Sequence, residues 1–330
     1  MKTQSIRFVV TDRWESSKVA GPSPTVPVEP LMQWHALCAL GRIDYRRPMT
    51  DSEPRHALIT GANTGIGRAT ALELARRGVH VTLACRSRAK TEPVLDEIRS
   101  QAPAVAVHFL PLDLASLASV RDAATAFLAS DRPLHILVNN AGLAGQRGRT
   151  QDGFEIAFGV NHLGHFLLTQ LLLDKLREHA PARIINVASQ GHYRPRTVAF
   201  DSLRQSTASL TGLDEYNVSK LCNVLFTQEL ARRLAGSGVT TYALHPGVIA
   251  SDVWRSVPWP IRPVITAFMR SNEEGARTSI YCALDPSVAD ESGLYYESCA
   301  TRAASKYATP ELAIELWRRS EDWVGTVAGK

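Results

Sequence analysis

The stretch ALITGANTGIG (57–67) runs from a short apolar segment, through glycines at 61, 65 and 67, into a helical pattern over 66–77. Glycine lets the backbone turn tightly and come close to a ligand, and a helix that starts at once presents free amides and the positive end of its dipole. The spacing is GxxxGxG rather than GxGxxG, but the physical result is the same, a seat for a pyrophosphate. A turn of this kind can also be a plain connector; the strand-turn-helix context favours binding. Asn63 and Thr64 are suited to brace it through side-chain hydrogen bonds, and Ile66 and Arg68 flank the last glycine.

Beyond that turn, apolar runs and helical patterns alternate. The runs are 57–60, 79–85, 105–112, 134–140, 183–189 and 239–246; helical patterns cover 89–100, 116–129, 153–177 and 216–235. Continuously apolar strands between amphipathic helices predict a parallel sheet covered on both faces. A last strand is expected to include GLYY (293–296), after a helix near 273–284. The fold class is therefore α/β: a single doubly wound Rossmann-type domain over residues 55–330, with a six- or seven-stranded parallel sheet. Residues 1–54 read as a loosely ordered N-terminal extension, because the proline-rich GPSPTVPVEP (21–30) suits neither helix nor central strand. MTDSEPRHALITG (49–61) leads directly into the first strand, which makes Met49 a candidate biological start.

Composition narrows the class. The 330 residues are 45% hydrophobic and 21% charged, with net charge +5 and no dense basic run. Arg76-Arg77 and Arg232-Arg233 precede Gly78 and Gly236, where cations complement helix ends, so no nucleic-acid surface is expected. Cysteines at 38, 85, 222, 282 and 299 are odd in number and lack CxxC spacing, which favours a reduced compartment. His162 and His165 form HxxH without the glutamate of HExxH, so no metal site is expected. No apolar run is read as approaching the ~18 residues that cross a bilayer, and LMQWHALCALG (31–41) is too short and too internal for a signal peptide. A cytoplasmic protein without a transmembrane segment is the expectation.

The chemistry concentrates in YNVSK (216–220). Tyr216 and Lys220 stand one helical turn apart on the same face, and an ammonium beside a phenol favours the phenolate. At the cofactor half, Arg86 ends the second strand where an acidic residue would bind the ribose hydroxyls of NAD. Arg86 and Arg68 instead suit a 2′-phosphate, so NADP(H) is expected over NAD(H); the alternative for either is a solvated surface residue. Asp113, after the third strand, could accept from the adenine amino group or serve as a turn or cap residue. Asn139-Asn140-Ala141-Gly142 follows the fourth strand, where small residues let a cofactor lie against the backbone.

In order, TGANTGIG, Asp113, NNAG, Asn161, Ser189, Tyr216-x-x-x-Lys220 and HPG (245–247) resemble the short-chain dehydrogenase/reductase family over roughly residues 55–325. FGVNHLGHFLLTQLLLDKL (158–176) and SKLCNVLFTQEL (219–230) are similar to its retinol dehydrogenase and WW-domain oxidoreductase branch. The resemblance implies Tyr216 as the proton donor in carbonyl reduction, with Lys220 bonding the nicotinamide ribose. It implies Ser189 as the group orienting the substrate oxygen and Asn161 as the holder of a water linked to Lys220. It adds Leu114, Pro246, Gly247, Ile249 and Ser251 to the cofactor contacts, with Ser251 where threonine is common. Ala188 stands where many relatives have a second serine, and the 192–215 interval is an insertion bordering the pocket. VWRSVPWPIRPVITAFM (253–269) reads as an apolar cap for a lipophilic carbonyl or alcohol substrate, or as ordinary packing. A homodimer or homotetramer is implied by the family. Two other functions remain open: a non-catalytic dinucleotide-binding regulator or scaffold, and a protochlorophyllide reductase-like enzyme using Cys222.

Overall fold

A computed structural model of the chain describes residues 54–247 and 271–325. In the first half, β1 (His56–Thr60), α1 (Gly65–Arg76), β2 (His80–Cys85), α2 (Arg88–Gln101), β3 (Val107–Pro111), α3 (Leu117–Leu128) and β4 (Ile136–Asn139) alternate. The second half holds α4 (Ile156–Glu178), β5 (Ala182–Val187), α5 (Leu213–Arg233), β6 (Val239–His245), α6 (Asn272–Leu284), β7 (Leu294–Glu297), β8 (Ala300–Arg302) and α7 (Pro310–Val324). The cap expected near 250–270, Ile249, Ser251 and the extension before residue 54 lie outside the described residues.

The strands form one sheet in the order β3-β2-β1-β4-β5-β6-β7-β8. Seven are parallel, as expected; the eighth, β8, pairs antiparallel with β7 and was not anticipated. Alternation along each strand divides the apolar residues between two cores. Ala57 and Ile59 face α1, α2 and α6, joined there by Leu72, Leu95 and Cys282. Leu58 faces the other side, with Val120 of α3, Phe166 of α4, Leu225 of α5 and Leu316 of α7. Strand order reverses between β1 and β4, which opens a crevice at the carboxyl ends of the central strands.

Local chemistry sets the helix ends. Ser116 caps α3, a Ser271–Glu274 capping box starts α6, and Thr309 with Pro310 starts α7. Helix α7, also absent from the expected set, ends at Gly325 with φ +66°. Its Trp317 packs edge-on against Phe166 at 5.1 Å and stacks on Phe226 at 5.8 Å, holding α4 and α5 together from outside. The 192–215 interval is anchored: a 3-10 turn at Gln190–Tyr193 leads into it, another at Phe200–Arg204 lies within it, and Thr207 Oγ1 donates to Glu155 Oε1 at 2.5 Å.

Candidate active site

The glycine turn sits where β1 meets α1, against the segment after β4. Gly61 has φ +67°, and a Cβ there would lie 2.9 Å from Ala141 Cα. A Cβ on Gly67 would come within 2.4 Å of Gly61 O and 2.5 Å of Asn140 Nδ2. Thr60 Oγ1 accepts from the amides of Asn140 (3.0 Å) and Ala141 (2.9 Å), while Asn140 Nδ2 donates back to Thr60 O at 2.9 Å. The turn is further held by the bond from Gly61 N to Ala84 O at 2.9 Å. Thr64 occupies the N-cap position of α1 without a side-chain bond to the first-turn amides. Those amides and the flat glycine surface could hold a pyrophosphate. Asn272 Oδ1, buried and unpartnered, stands 3.8 Å from where a Gly65 Cβ would be, so this cradle also contains a polar atom suited to a ligand.

Towards the adenosine end, Arg86 is exposed after β2 and could meet a 2′-phosphate. Arg68 is already engaged: its Nη2 lies 2.5 Å from Glu97 Oε2 of α2, a partner that sequence reading did not find. Asp113 Oδ1 accepts from Ala115 N at 3.0 Å, which is the turn role among its alternatives and leaves the other oxygen for an adenine. Leu114 is buried against Gly164. At the far end, Pro246 and Gly247 follow β6, with Gly247 at φ +97°.

The four candidate catalytic residues come from α4, the end of β5 and α5. Lys220 is 4% exposed, and its Nζ donates to Val187 O at 2.8 Å. Burial holds its amine down at about 8. Tyr216 is partly buried; burial pushes its phenol above the ordinary tyrosine value, while the Ser189 hydroxyl pulls the other way. The expected acidification of Tyr216 by Lys220 is therefore corrected. The amine gives one of its hydrogens to a backbone carbonyl and lies 5.6 Å from the Tyr216 ring centroid. Ser189 Oγ accepts from Gly191 N at 3.1 Å, which aims it from the strand end.

Asn161 lies in a π turn (Gly159–Leu163) within α4 and is fully buried. Its side chain clamps the chain after NNAG, accepting from Leu143 N at 2.9 Å and donating to Leu143 O at 3.0 Å. Its other amide hydrogen goes to Ser219 Oγ at 2.9 Å, a link into α5 that sequence reading missed. Asn161 Oδ1 and Lys220 Nζ lie 3.4 Å and 3.5 Å from one point, the place of a Cβ on Gly142, so both polar atoms border the same side of that glycine. Cys222 does not share this setting. It is fully buried in the α5 core, and burial pushes its thiol far up, which removes the chemical role considered for it.

Comparison with known proteins agrees with this geometry. The short chain dehydrogenase family profile matches residues 55–259. Retinol dehydrogenase 11 of Homo sapiens is 46% identical over 273 residues, spanning 81% of this chain and 85% of that protein. Retinol dehydrogenase 13 of Homo sapiens is 44% identical over 281 residues, spanning 82% and 85%. Among solved structures, an uncharacterized protein from Mycobacterium paratuberculosis superimposes with TM-score 0.66 at 32% identity, covering 84% of this chain and 95% of its own. A Beutenbergia cavernae protein assigned as an NAD(P) dependent gluconate 5-dehydrogenase, with bound NADP, gives 0.61 at 25% identity, covering 75% and 96%. The 3-ketoacyl-(acyl-carrier-protein) reductase of Brucella melitensis, complexed with NADH, gives 0.59 at 25%, covering 78% and 100%.

The expected cytoplasmic location is overturned by the likeness to retinol dehydrogenases 11 and 13. Ile156–Glu178 is long and apolar enough to cross a membrane by length and composition, which corrects the reading that no such run exists. In this fold 78% of its apolar window is buried, so here it serves as core.

Proposed function

This chain belongs to the short-chain dehydrogenase family, an oxidoreductase family that binds nicotinamide dinucleotides, and from that premise we propose NADP(H)-dependent interconversion of a lipophilic carbonyl and its alcohol. The observation that carries the reading is the convergence of Ser189, Tyr216, Lys220 and Asn161 at the end of β5, one reversal of strand order away from the glycine cradle. Bound there, the nicotinamide supplies the hydride. Ser189 orients the substrate oxygen and stabilises charge developing on it. Tyr216 gives that oxygen its proton in the reducing direction; in the oxidising direction its phenolate accepts one. Lys220, with its amine held down near 8, is suited to pass a proton onward to a water held by Asn161 and to bond the ribose. Arg86 and Arg68 support the 2′-phosphate preference. Similarity to retinol dehydrogenases supports a lipophilic substrate.

The test is reduction of aldehydes and ketones graded by chain length and ring content, with NADPH and NADH compared. Activity rising with apolar size and a lower KM for NADPH are expected; equal use of both cofactors removes the NADP(H) assignment. Tyr216→Phe should lower kcat by ~10²–10⁴-fold while NADPH still binds. Near-normal turnover in that variant contradicts the role of the phenol. A folded wild-type protein that binds NADPH and turns over nothing in the panel would point to a binding regulator instead.

A further inference from the structure

Beneath the glycine turn, outside the four candidate catalytic residues, lies a buried imidazole with both ring nitrogens engaged. His165, on α4, is 3% exposed. Its Nε2 is 2.8 Å from Thr60 Oγ1, and its Nδ1 is 3.0 Å from the peptide carbonyl of Asn161. Thr60 Oγ1 already accepts the amides of Asn140 and Ala141, so both of its lone pairs are taken and its own hydrogen must go outward. Val138 O, at 3.4 Å, is the poorer acceptor; His165 Nε2 is the better one. Nε2 then carries no proton, and Nδ1–H donates to Asn161 O. Only the neutral, Nδ1-protonated ring satisfies every atom in this chain of bonds.

The ring joins the two halves of the site. On one side, Thr60 holds the NNAG backbone against the glycine turn. On the other, the Asn161 carbonyl sits in the π turn whose side chain clamps Leu143 and reaches Ser219, next to Lys220 on α5. We propose that His165 is a positioning residue: a permanently neutral strut that fixes the Asn161 turn to the dinucleotide platform, so that the proton-handling side chains keep their register with the cofactor. Burial, with the nearby Lys220 cation adding to it, holds the ring down at about 4, and His162 is its other titratable neighbour. A strut that never charges near neutral pH neither repels Lys220 nor breaks its bond from Thr60.

This inference rests on the oxidoreductase reading, and its test separates the two. In protein with ¹⁵N-labelled histidine, NMR of the wild type should show His165 neutral and Nδ1-protonated from pH 5 to 9; an Nε2–H tautomer, or titration in that range, overturns it. Two substitutions then break one bond each. His165→Asn keeps a donor where Nδ1 stood and loses Thr60; His165→Gln keeps an amide where Nε2 stood and loses Asn161. His165→Asn should raise the NADPH Kd about tenfold with kcat within threefold. His165→Gln should lower kcat about tenfold with Kd within threefold, as expected for a catalytic group displaced by a fraction of an ångström. Folded variants with wild-type Kd and kcat, differing only in melting temperature, overturn the proposal. If wild-type protein reduces no substrate, the oxidoreductase reading fails, while the tautomer and the Kd of His165→Asn still decide the role of His165. If a variant does not fold, the wild-type spectrum decides it.

Discussion

Glu97 and Arg68 show how one carboxylate can set cofactor preference. Arg68 Nη2 lies 2.5 Å from Glu97 Oε2, with the two side chains 37% and 26% exposed. A 2′-phosphate approaching Arg68 meets that carboxylate as well, and the guanidinium must serve two anions. Like charges several ångströms apart at a partly solvated site cost on the order of 1 kcal/mol. Glu97→Gln removes the repulsion while keeping a hydrogen-bond acceptor for Arg68. It should tighten NADPH about three- to tenfold and leave NADH unchanged, read by titrating both cofactors against wild type and variant. Equal changes for the two cofactors would place Glu97 away from the 2′ position. Sequence reading singled out Arg68 because it adjoins the glycine turn. Its partner is contributed by another helix and leaves no local signal, so the charge balance of this site is a tertiary fact.

At the scale of elements, α1 packs closely at Gly67 against the glycine turn and the NNAG segment. A Gly67→Ala methyl would meet Gly61 O at 2.4 Å and Asn140 Nδ2 at 2.5 Å; the first is backbone and the second is tied by its bond to Thr60 O. Overpacking of this kind costs roughly 1–3 kcal/mol, or about 2–4 °C in melting temperature per kcal/mol for a domain of this size. It also pushes the α1 amides off their line to a pyrophosphate. Gly67→Ala should therefore melt several degrees lower and bind NADPH more than tenfold more weakly; intact affinity would remove the pyrophosphate from this turn. This turn and the YNVSK pair were readable in the sequence because their chemistry is local, as were the seven parallel strands, whose apolar runs are continuous. The β7–β8 hairpin was not. Its turn places Ser298 and Cys299 at φ +53° and +59°, positions usually marked by Asn-Gly, so these residues carry no turn signal. Helix α7 had signals, a Thr309-Pro310 start and apolar residues Ala313, Leu316, Trp317 and Val324 along one face, but went unread. The π turn around Asn161 follows from packing of α4, and no residue pattern announces it. For the same reason the spacing of Tyr216 and Lys220 was readable, whereas the burial that raises the phenol and the Val187 carbonyl that meets the amine come only with the fold.

Across the whole molecule, buried histidines make the fold sensitive to acid. His56, at the start of β1, is held at about 3 by burial and by His108, His80, Arg132 and His135 around it. His162 is held at about 3, mainly by burial, and His165 at about 4 for the same reason. In the unfolded chain each returns to about 6.5. Below that value the unfolded state binds protons that the folded state refuses, so stability is full above pH 6.5 and falls as pH drops towards the folded values. At pH 5.5 each group costs about 1.4 kcal/mol, and the three together roughly 4 kcal/mol, a large part of the 5–15 kcal/mol typical of a domain. Glu155, whose carboxyl burial raises, works in the opposite direction and offsets a fraction of the loss. Urea unfolding at pH 7.5 and 5.5 should therefore show several kcal/mol less stability at the lower pH. His56→Gln, which cannot take up the proton and lies at the amino end of β1, away from the carboxyl ends of the strands where the candidate site sits, should recover about a third of that difference. Equal stability at the two pH values would mean that these rings protonate within the folded protein, and the neutral strut assigned to His165 would fall with it.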